Sequence, residues 1–397
     1  MSKIIAVNSG SSSLKFQLYK MPEEIVITSG SAERIGLESG VFSIVVNGEK
    51  KVFNLPIENH QVAVDLLIEK LLAFKIIESL DEIKAAGHRI VQGGPYFDGS
   101  VEVDDDVVAK VEELCSLAPL HNHAHLVCYR AFKHDLPNIR HVFVFDTAFH
   151  QTISEENYIY PVPYEWYEKY GIRKYGAHGT SHMYIMKQTA KLLNKPVEDL
   201  NIISCHLGNG ASISAIKHGK CIDTSMGLSP LGGIMMGTRC GDIDPTVVYY
   251  MEQKLNCTPE EMDTYLNKKS GMLGISGISS DNRDVENAAD KGDKRAILTT
   301  HIYANRVAKM IGSYFVELGH VDAISFAGGL GEHACQMRER VLKMLEEPLG
   351  VRGDYVKNSE CHSEMELSLE DSKVKVFVTP TNEELMIVRD TARILGF

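Results

Sequence analysis

Residues 4–19 read Ile4-Ile-Ala-Val-Asn-Ser-Gly-Ser-Ser-Ser-Leu-Lys-Phe-Gln-Leu-Tyr19, and residues 201–216 read Asn201-Ile-Ile-Ser-Cys-His-Leu-Gly-Asn-Gly-Ala-Ser-Ile-Ser-Ala-Ile216. The two stretches share one grammar. An apolar run, Ile4–Val7 in one and Asn201–Cys205 in the other, predicts a buried strand. A small polar loop follows, Asn8–Ser13 or His206–Ala211. The chain then resumes as strand. Leu14, Phe16 and Leu18 alternate with Lys15, Gln17 and Tyr19, the period-two pattern of a half-buried strand, and Ser212–Ile216 is again rich in apolar residues. A hairpin that opens each half of the chain predicts two similar α/β domains facing each other, and a cleft between domains is where ligands usually sit.

The intervening sequence supplies the rest of such domains. Val64, Leu67, Ile68, Leu71 and Leu72 have helical spacing, Val107–Leu117 is amphipathic, and His141–Phe145 is a strand ending at Asp146. Residues 149–175, with Pro161, Pro163 and many aromatics, read as an irregular boundary. Further on, Ala296, Tyr303, Val307, Met310, Tyr314 and Leu318 share one face of a long helix. A strand at Asp322–Phe326, a glycine loop at Ala327–Glu332 and a helix at Gln336–Leu345 follow. The chain closes on a strand, Val374–Val378, and a helix, Glu383–Leu395.

Composition narrows the function. A chain of 397 residues exceeds one compact core, and 44% hydrophobic with 24% charged residues is ordinary for a globular protein. No apolar run reaches the roughly 18 residues of a membrane span, and Ile4–Val7 is too short for a signal peptide, so no membrane association is expected. Eight cysteines without a CxxC pair argue against a zinc site and a disulfide framework, which fits a reduced, cytoplasmic protein. The net charge of −12 disfavours nucleic acid as a partner. The same field would repel any anionic substrate, so Lys, Arg and His would have to converge locally to bind one.

Three loops invite a phosphate reading. Gly10-Ser-Ser-Ser-Leu-Lys15 lacks the second glycine of a P-loop and continues as strand, so it is not that motif. Small residues still let successive amides approach an anion. His206–Gly210 has the same character. Gly328–Glu332 sits where a strand meets a helix, a place that can present helix N-terminal amides. Each alone is an ordinary turn; three in register across two halves are a stronger signal.

With these loops in view, the chain resembles the acetokinase family, part of the superfamily of actin, sugar kinases and heat-shock chaperones. The strings that carry the resemblance span Val7 to Arg389. They are Asn8–Lys15, Gly87-His-Arg89, Ala118-Pro-Leu-His-Asn122, Val144–Thr152, His178-Gly-Thr-Ser-His182, His206–Ser212, Met236–Pro245 and Pro380–Met386. The resemblance implies two duplicated actin-like (ribonuclease H-like) domains with an interdomain active-site cleft. It divides the chain into residues 1–150 with 385–397, on the carboxylate and phosphate-loop side, and residues 151–384, for nucleotide binding and dimerisation. It implies transfer of the γ-phosphoryl group of ATP to acetate, with magnesium (or manganese in its place) and a homodimer.

The chemistry of that transfer makes the residue types intelligible. Phosphoryl transfer needs positioning and positive charge more than covalent help, and a carboxylate nucleophile is already ionised at neutral pH. The resemblance implies that Arg89 holds the carboxylate, and that Arg239 and His178 stabilise the moving phosphoryl group. It gives Asp146 an active-site role, which we read as orienting the arginine, the nucleophile or metal-bound water. Asn8 and Glu383 match metal positions. Lys15 with His206, Leu207, Gly208, Asn209 and Gly210 match phosphate contacts. Asp281, Asn282 and Arg283, with Gly329, Leu330, Gly331, Glu332 and His333, match an adenosine pocket. His121, His150 and His182 are read as structural.

Four positions depart from the family pattern: Ala177 stands where Phe is usual, Gln92 for His, His123 for Pro and His333 for Asn. An alanine at 177 predicts a looser acyl pocket, lined by Val91, Leu120 and Pro230, that takes propionate more readily. A propionate or other short-chain acyl kinase is therefore the alternative within the family, a butyrate kinase less so. A non-kinase ATPase of the chaperone or filament type is the alternative outside it. Such a protein has no use for Arg89, His178 and Arg239 around a second substrate.

Overall fold

The computed structural model describes residues 2–118 and 121–397. The chain divides into two compact units, one holding the residues up to Phe149 together with Asn382–Phe397, the other His150–Thr381.

The first unit is built on one sheet. Strands β1 (Ser2–Gly10), β2 (Ser13–Met21), β3 (Ile25–Glu33), β4 (Val41–Val46) and β5 (Glu49–Asn54) form an antiparallel meander. On the other side of β1 lie β6 (Ile83–Ile90) and β8 (Arg140–Phe145), both parallel to it, with the short β7 (Val101–Glu102) at the edge, so the order is 5-4-3-2-1-6-8-7. Ile5 and Val7 face a core shared with the helix His60–Ala73, whereas Ile4 and Ala6 face one shared with the helix Glu383–Leu395. This is why Ile4–Val7 is apolar without alternation: both faces of β1 are covered.

The second unit repeats the plan. Strands β9 (Asn201–Leu207), β10 (Ala211–Lys217) and β11 (Lys220–Thr224) form a meander, β12 (Ala323–Ala327) and β14 (Lys375–Val378) run parallel to β9, and β13 (Met365–Glu366) pairs antiparallel at the edge. The order 11-10-9-12-14-13 matches 3-2-1-6-8-7 strand for strand. The long helix Lys294–Leu318 buries Ala296, Tyr303, Val307, Tyr314 and Leu318 against this sheet, while Met310 is only partly buried.

The boundaries differ from expectation mainly at the loops. Strand pairing runs through Asn8↔Lys15 and Gly10↔Ser13, which leaves only Ser11 and Ser12 as the turn of the first hairpin. The apolar residues on both arms set the register and draw the polar residues into the ladder. In the second hairpin Leu207 pairs with Ala211, leaving the three-residue loop Gly208-Asn209-Gly210. Residues 328–333, expected as a loop, form a short helix. The last helix belongs to the first unit from its N-cap Asn382 onward, so Glu383 and Glu384 lie there rather than in the second unit. No helix among the described residues is long and apolar enough to cross a membrane.

Candidate functional site

In the first unit the parallel strands deliver charged side chains to one place. Arg89 lies on β6 and Asp146 just past the end of β8, whose backbone N–H donates to Ile90 O at 2.9 Å. The Arg89 guanidinium donates from Nε to Asp146 Oδ1 (3.0 Å) and from Nη2 to Oδ2 (2.6 Å), a bidentate pair. Its Nη1 donates to Asn8 Oδ1 on β1 at 3.1 Å, and Glu383 Oε2 lies 4.0 Å from Nε. Glu383 gets there because its helix lies close on β6 at Gly87. A Cβ on Gly87 would stand 2.2 Å from Thr391 Oγ1 and 2.6 Å from Ile387 Cγ2, so no larger residue fits the contact.

Electrostatics in this cluster are lopsided. Burial works against the Arg89 charge, but Asp146 and then Glu383 outweigh it and hold the guanidinium protonated. Burial pushes the Glu383 carboxyl up; Asp146 adds to the push, while Arg89 and Lys15 oppose it. A half-buried carboxylate with that tendency is one that a further cation would relieve. Asn8 Oδ1 and the Glu383 carboxylate are hard oxygen donors suited to a magnesium ion that keeps most of its waters. Among the described residues no group of three or more His, Cys, Asp or Glu could hold a metal by itself.

The second unit assembles a different chemistry around Gly210. A Cβ there would lie 3.3 Å from Arg239 Nη1 and 3.5 Å from His178 Nε2, so loop, guanidinium and imidazole converge on one point. The loop is docked from below: Gly237 N–H donates to Asn209 O at 3.0 Å, and the Asn209 amide occupies the space a Gly237 side chain would need. Two residues on, Arg239 donates through Nη1 to Pro230 O at 3.3 Å. His178 takes the left-handed backbone, φ 59°, ahead of the helix Gly179–Leu193. Its Nδ1 is 2.9 Å from Ser212 Oγ, and its ring lies 4.3 Å from that of His206.

A separate cavity of about 950 Å³ opens in the second unit. Asp281, Asn282, Arg283, Gly329, Leu330 and His333, read from the sequence as parts of an adenosine pocket, line it, and Asn209, read as a phosphate contact, lines it too. Gly331 and Glu332 do not. Glu332 turns back to accept Gly328 N–H (2.8 Å) and Thr381 N–H (3.3 Å), so the amide at the head of that short helix is already used. Ser280, Glu286, Asn287 and Asp290 line the cavity without having been foreseen. Helical spacing from Asn282 and Arg283 would have pointed to Glu286, Asn287 and Asp290. Glu286 is fixed by Arg340, with contacts of 2.6 and 3.0 Å. Asn282 is buried, and its Oδ1 has no hydrogen-bond partner among the described residues, an acceptor left for a ligand to satisfy.

The comparisons with known proteins can be set beside this geometry. Residues 3–389 match the model described as the acetokinase family. The chain belongs to the acetokinase family. It is 54% identical over 394 residues, 99% of both chains, to the acetate kinase of Geobacillus sp. (strain WCH70). Among solved structures, the acetate kinase of Porphyromonas gingivalis superposes with a TM-score of 0.94 at 43% identity over 100% of both chains. The propionate kinase of Francisella tularensis does so at 0.93 and 42%, over 98% of this chain and 99% of that one. The duplicated sheets are those of the actin-like fold that acetokinases share.

Three of the four departures from the family pattern can be placed in the structure, while nothing in it explains His123, which is exposed. Gln92 is buried in the turn after β6, where Gly94 N–H donates to its Oε1 at 2.9 Å and Asn122 brackets its backbone. Ala177 is 2% exposed and sealed among the apolar residues of the second core, so a widened acyl pocket does not follow from it. His333 is a mostly exposed rim residue of the cavity. Of the expected acyl-pocket residues, Val91 is buried in the first unit and Pro230 half-buried in the second; Leu120 lies outside the described residues. Lys15 is exposed on β2, opposite Asn8.

Proposed function

We propose that this protein transfers the γ-phosphoryl group of ATP to acetate, reversibly and in one in-line step. An acetate oxygen forms a bond to the γ-phosphorus as the bond from that phosphorus to the β,γ-bridging oxygen breaks, and the electron pair leaves with ADP. The convergence of His178, Arg239 and the Gly210 loop carries this reading: two donors aimed at one point suit a moiety whose charge spreads over three equatorial oxygens.

The other groups take roles that follow from their contacts. Arg89 binds the carboxylate with the N–H groups it does not spend on Asp146 and Asn8. Asp146 orients that guanidinium and is not needed as a base, since the nucleophile is already ionised. Asn8 and Glu383 would hold magnesium or manganese, which when bound neutralises charge on the β- and γ-phosphate oxygens. The cavity takes the nucleoside, with Asn282 Oδ1 as an acceptor and Asp281, Glu286 and Asp290 favouring the uncharged end of ATP over its phosphates. Gly208, Asn209 and Gly210, with His206, Leu207 and Lys15, lie toward the phosphates.

A homodimer is part of the proposal. The helix Thr246–Leu255 buries none of its residues, and Val247, Tyr249, Tyr250 and Leu255 are each 45–55% exposed. Such a face suits a second copy of the chain. Free cysteines and the lack of a spanning helix among the described residues accord with a cytoplasmic enzyme.

Comparable similarity to a propionate kinase keeps propionate as a second substrate. The test is to supply ATP, magnesium and hydroxylamine with acetate, propionate or butyrate, and to measure ADP and the trapped hydroxamate. We expect acid-dependent ADP formation with the highest kcat/KM for acetate, then propionate. ADP formation indifferent to the acid would leave a non-kinase ATPase instead.

A further inference from the structure

His182, which the reaction as described does not use, is buried at 0% exposure between two serine hydroxyls. Its Nε2 is 2.8 Å from Ser212 Oγ, and its Nδ1 is 2.8 Å from Ser204 Oγ. Ser212 Oγ in turn is 2.9 Å from His178 Nδ1. Four side chains thus form one file, Ser204–His182–Ser212–His178, ending at the imidazole whose Nε2 faces Gly210 and Arg239.

If both rings are neutral, the three contacts can be polarised in three ways, because each hydroxyl has one hydrogen and each ring one N–H. Every hydrogen can point toward His178, every hydrogen can point away from it, or both rings can donate to Ser212. Ser204 and Ser212 decide among them. Both are wholly buried, and neither hydroxyl has another hydrogen-bond partner among the described residues. The second way leaves the Ser204 O–H buried and unmade, and the third does the same to the Ser212 O–H, each of which is destabilising. So Ser204 donates to His182 Nδ1, His182 donates from Nε2 to Ser212, and Ser212 donates to His178 Nδ1. The His178 proton is then left on Nε2. Burial, with neighbouring His150 and His206, holds His182 well below the usual imidazole range, so it stays neutral as this polarity requires.

We infer that His182 is a positioning residue that fixes His178 as the neutral Nε2–H tautomer, a ready hydrogen-bond donor for the transferring phosphoryl group. The inference rests on the proposed reaction for its purpose, but its structural content stands apart from it. A second contact supports the same end: His150 Nε2–H donates to Ala177 O at 2.9 Å, steadying the peptide before the left-handed His178. Titratable groups around His178 are His206 beside its ring, His182 through Ser212, and Arg239 across Gly210, with His150 beyond His182 at 5.8 Å between centroids.

The test uses full-length protein labelled with 15N-histidine, with no ligand, and reads the His178 tautomer from one- and two-bond 15N–1H couplings, assigned with His178→Asn. We expect the proton on Nε2 near pH 7.5, and its partial transfer to Nδ1 in His182→Leu and Ser212→Ala. In kinetics, His182→Leu should lower kcat roughly ten- to a hundredfold, the range for losing a group that orients an imidazole, with KM for ATP little changed. That loss should deepen as pH rises from about 6 to about 8, since a doubly protonated ring keeps its Nε2–H without help. His182→Gln, whose amide can replace both contacts, should restore most of the rate. Ser204→Ala, a gentler change, should give the same pH trend if His182→Leu fails to fold. A wild-type His178 protonated on Nδ1 or on both nitrogens, or a rate loss equal at all pH values, overturns the inference. Absence of acetate-dependent turnover in the wild type would instead strike at the proposed reaction and leave the tautomer measurement readable.

Discussion

The two hairpins that open the two sheets start from the same grammar and end differently. In the first, pairing continues to Gly10↔Ser13, and a two-residue turn remains. In the second, pairing stops at Leu207↔Ala211, and three residues stand clear of the ladder. Only the second has an imidazole and a guanidinium within contact distance of its glycine. The surroundings differ in the same sense: carboxylates and an amide gather on Arg89 in the first unit, while histidines and serine hydroxyls line the approach to His178 in the second. Register, more than the presence of Gly and Ser, determines whether such a turn can serve an anion.

The sharpest way to break this contrast is to remove a cation from the second unit. Arg239→Ala should lower kcat by roughly 10²–10³, with the far-UV CD spectrum unchanged, because a donor to the transferring group is lost while its neighbours stay packed. A loss below tenfold would place the catalytic charge elsewhere.

Alanine at the two turn glycines sharpens the comparison directly. A Cβ at Gly210 meets Arg239 Nη1 at 3.3 Å and His178 Nε2 at 3.5 Å, whereas one at Gly10 meets, among the described residues, only Ser13 Oγ, at 3.1 Å. Neither glycine has a positive φ, so backbone strain does not enter. Gly210→Ala should cost about tenfold in kcat by displacing the two donors, and Gly10→Ala less than about threefold, since a serine hydroxyl can swing aside. Equal effects would mean that the turns are functionally alike after all.

The first unit should also be the more sensitive to acid. Burial holds His125 down to about 3 and His141 down to about 4, and pushes His88 low as well, where His88 Nε2 and His141 Nδ1 share a hydrogen bond at 3.0 Å. These rings must stay neutral in the fold. The unfolded chain takes up their protons below the ordinary value of 6.5, and the folded chain does so only near 4 or lower. Stability from this source is therefore complete above 6.5 and lost as pH falls toward 4, by up to about 1.4 kcal/mol per pH unit for each ring. Urea midpoints measured from pH 7.5 down to 4.5 should fall accordingly, with a shallower slope in His141→Gln. A flat profile would show that these histidines do not control the acid limb.

Much of this was legible in the sequence, and what was missed has a common cause. Local patterns gave both hairpins, the long helix Lys294–Leu318 and the last helix, since each depends on periodicity within one segment. The convergence of Arg89, Asp146, Asn8 and Glu383 depends on strand order and on the return of the C-terminal helix, which Gly87 admits. No local pattern states that. His182 reads as structural from sequence, because its two partners, Ser204 and Ser212, come from strands remote in the chain. The signal that could have found it is the alternation Ser204-Cys-His206 on β9 and Ser212-Ile-Ser214 on β10. Polar residues at every second place on strands buried on both sides call for a polar partner above them.

The smallest effect is expected at Arg283, which lines the cavity and pairs with Asp281 at 2.6 Å. Its side chain is 86% exposed, so the pair is screened by solvent and contributes little. Asp281 matters more for its backbone duty, since it accepts Arg283 N–H at 2.9 Å and caps the helix Asn282–Asp290. Arg283→Ala should therefore raise KM for ATP no more than about threefold and leave kcat alone. Asp281→Ala, by loosening the helix that carries Asn282, should raise KM further and lower Tm. If Arg283→Ala proved the more damaging of the two, its guanidinium would be gripping the nucleotide itself, and the division between a neutral nucleoside cavity and a cationic phosphate site at Gly210 would have to be redrawn.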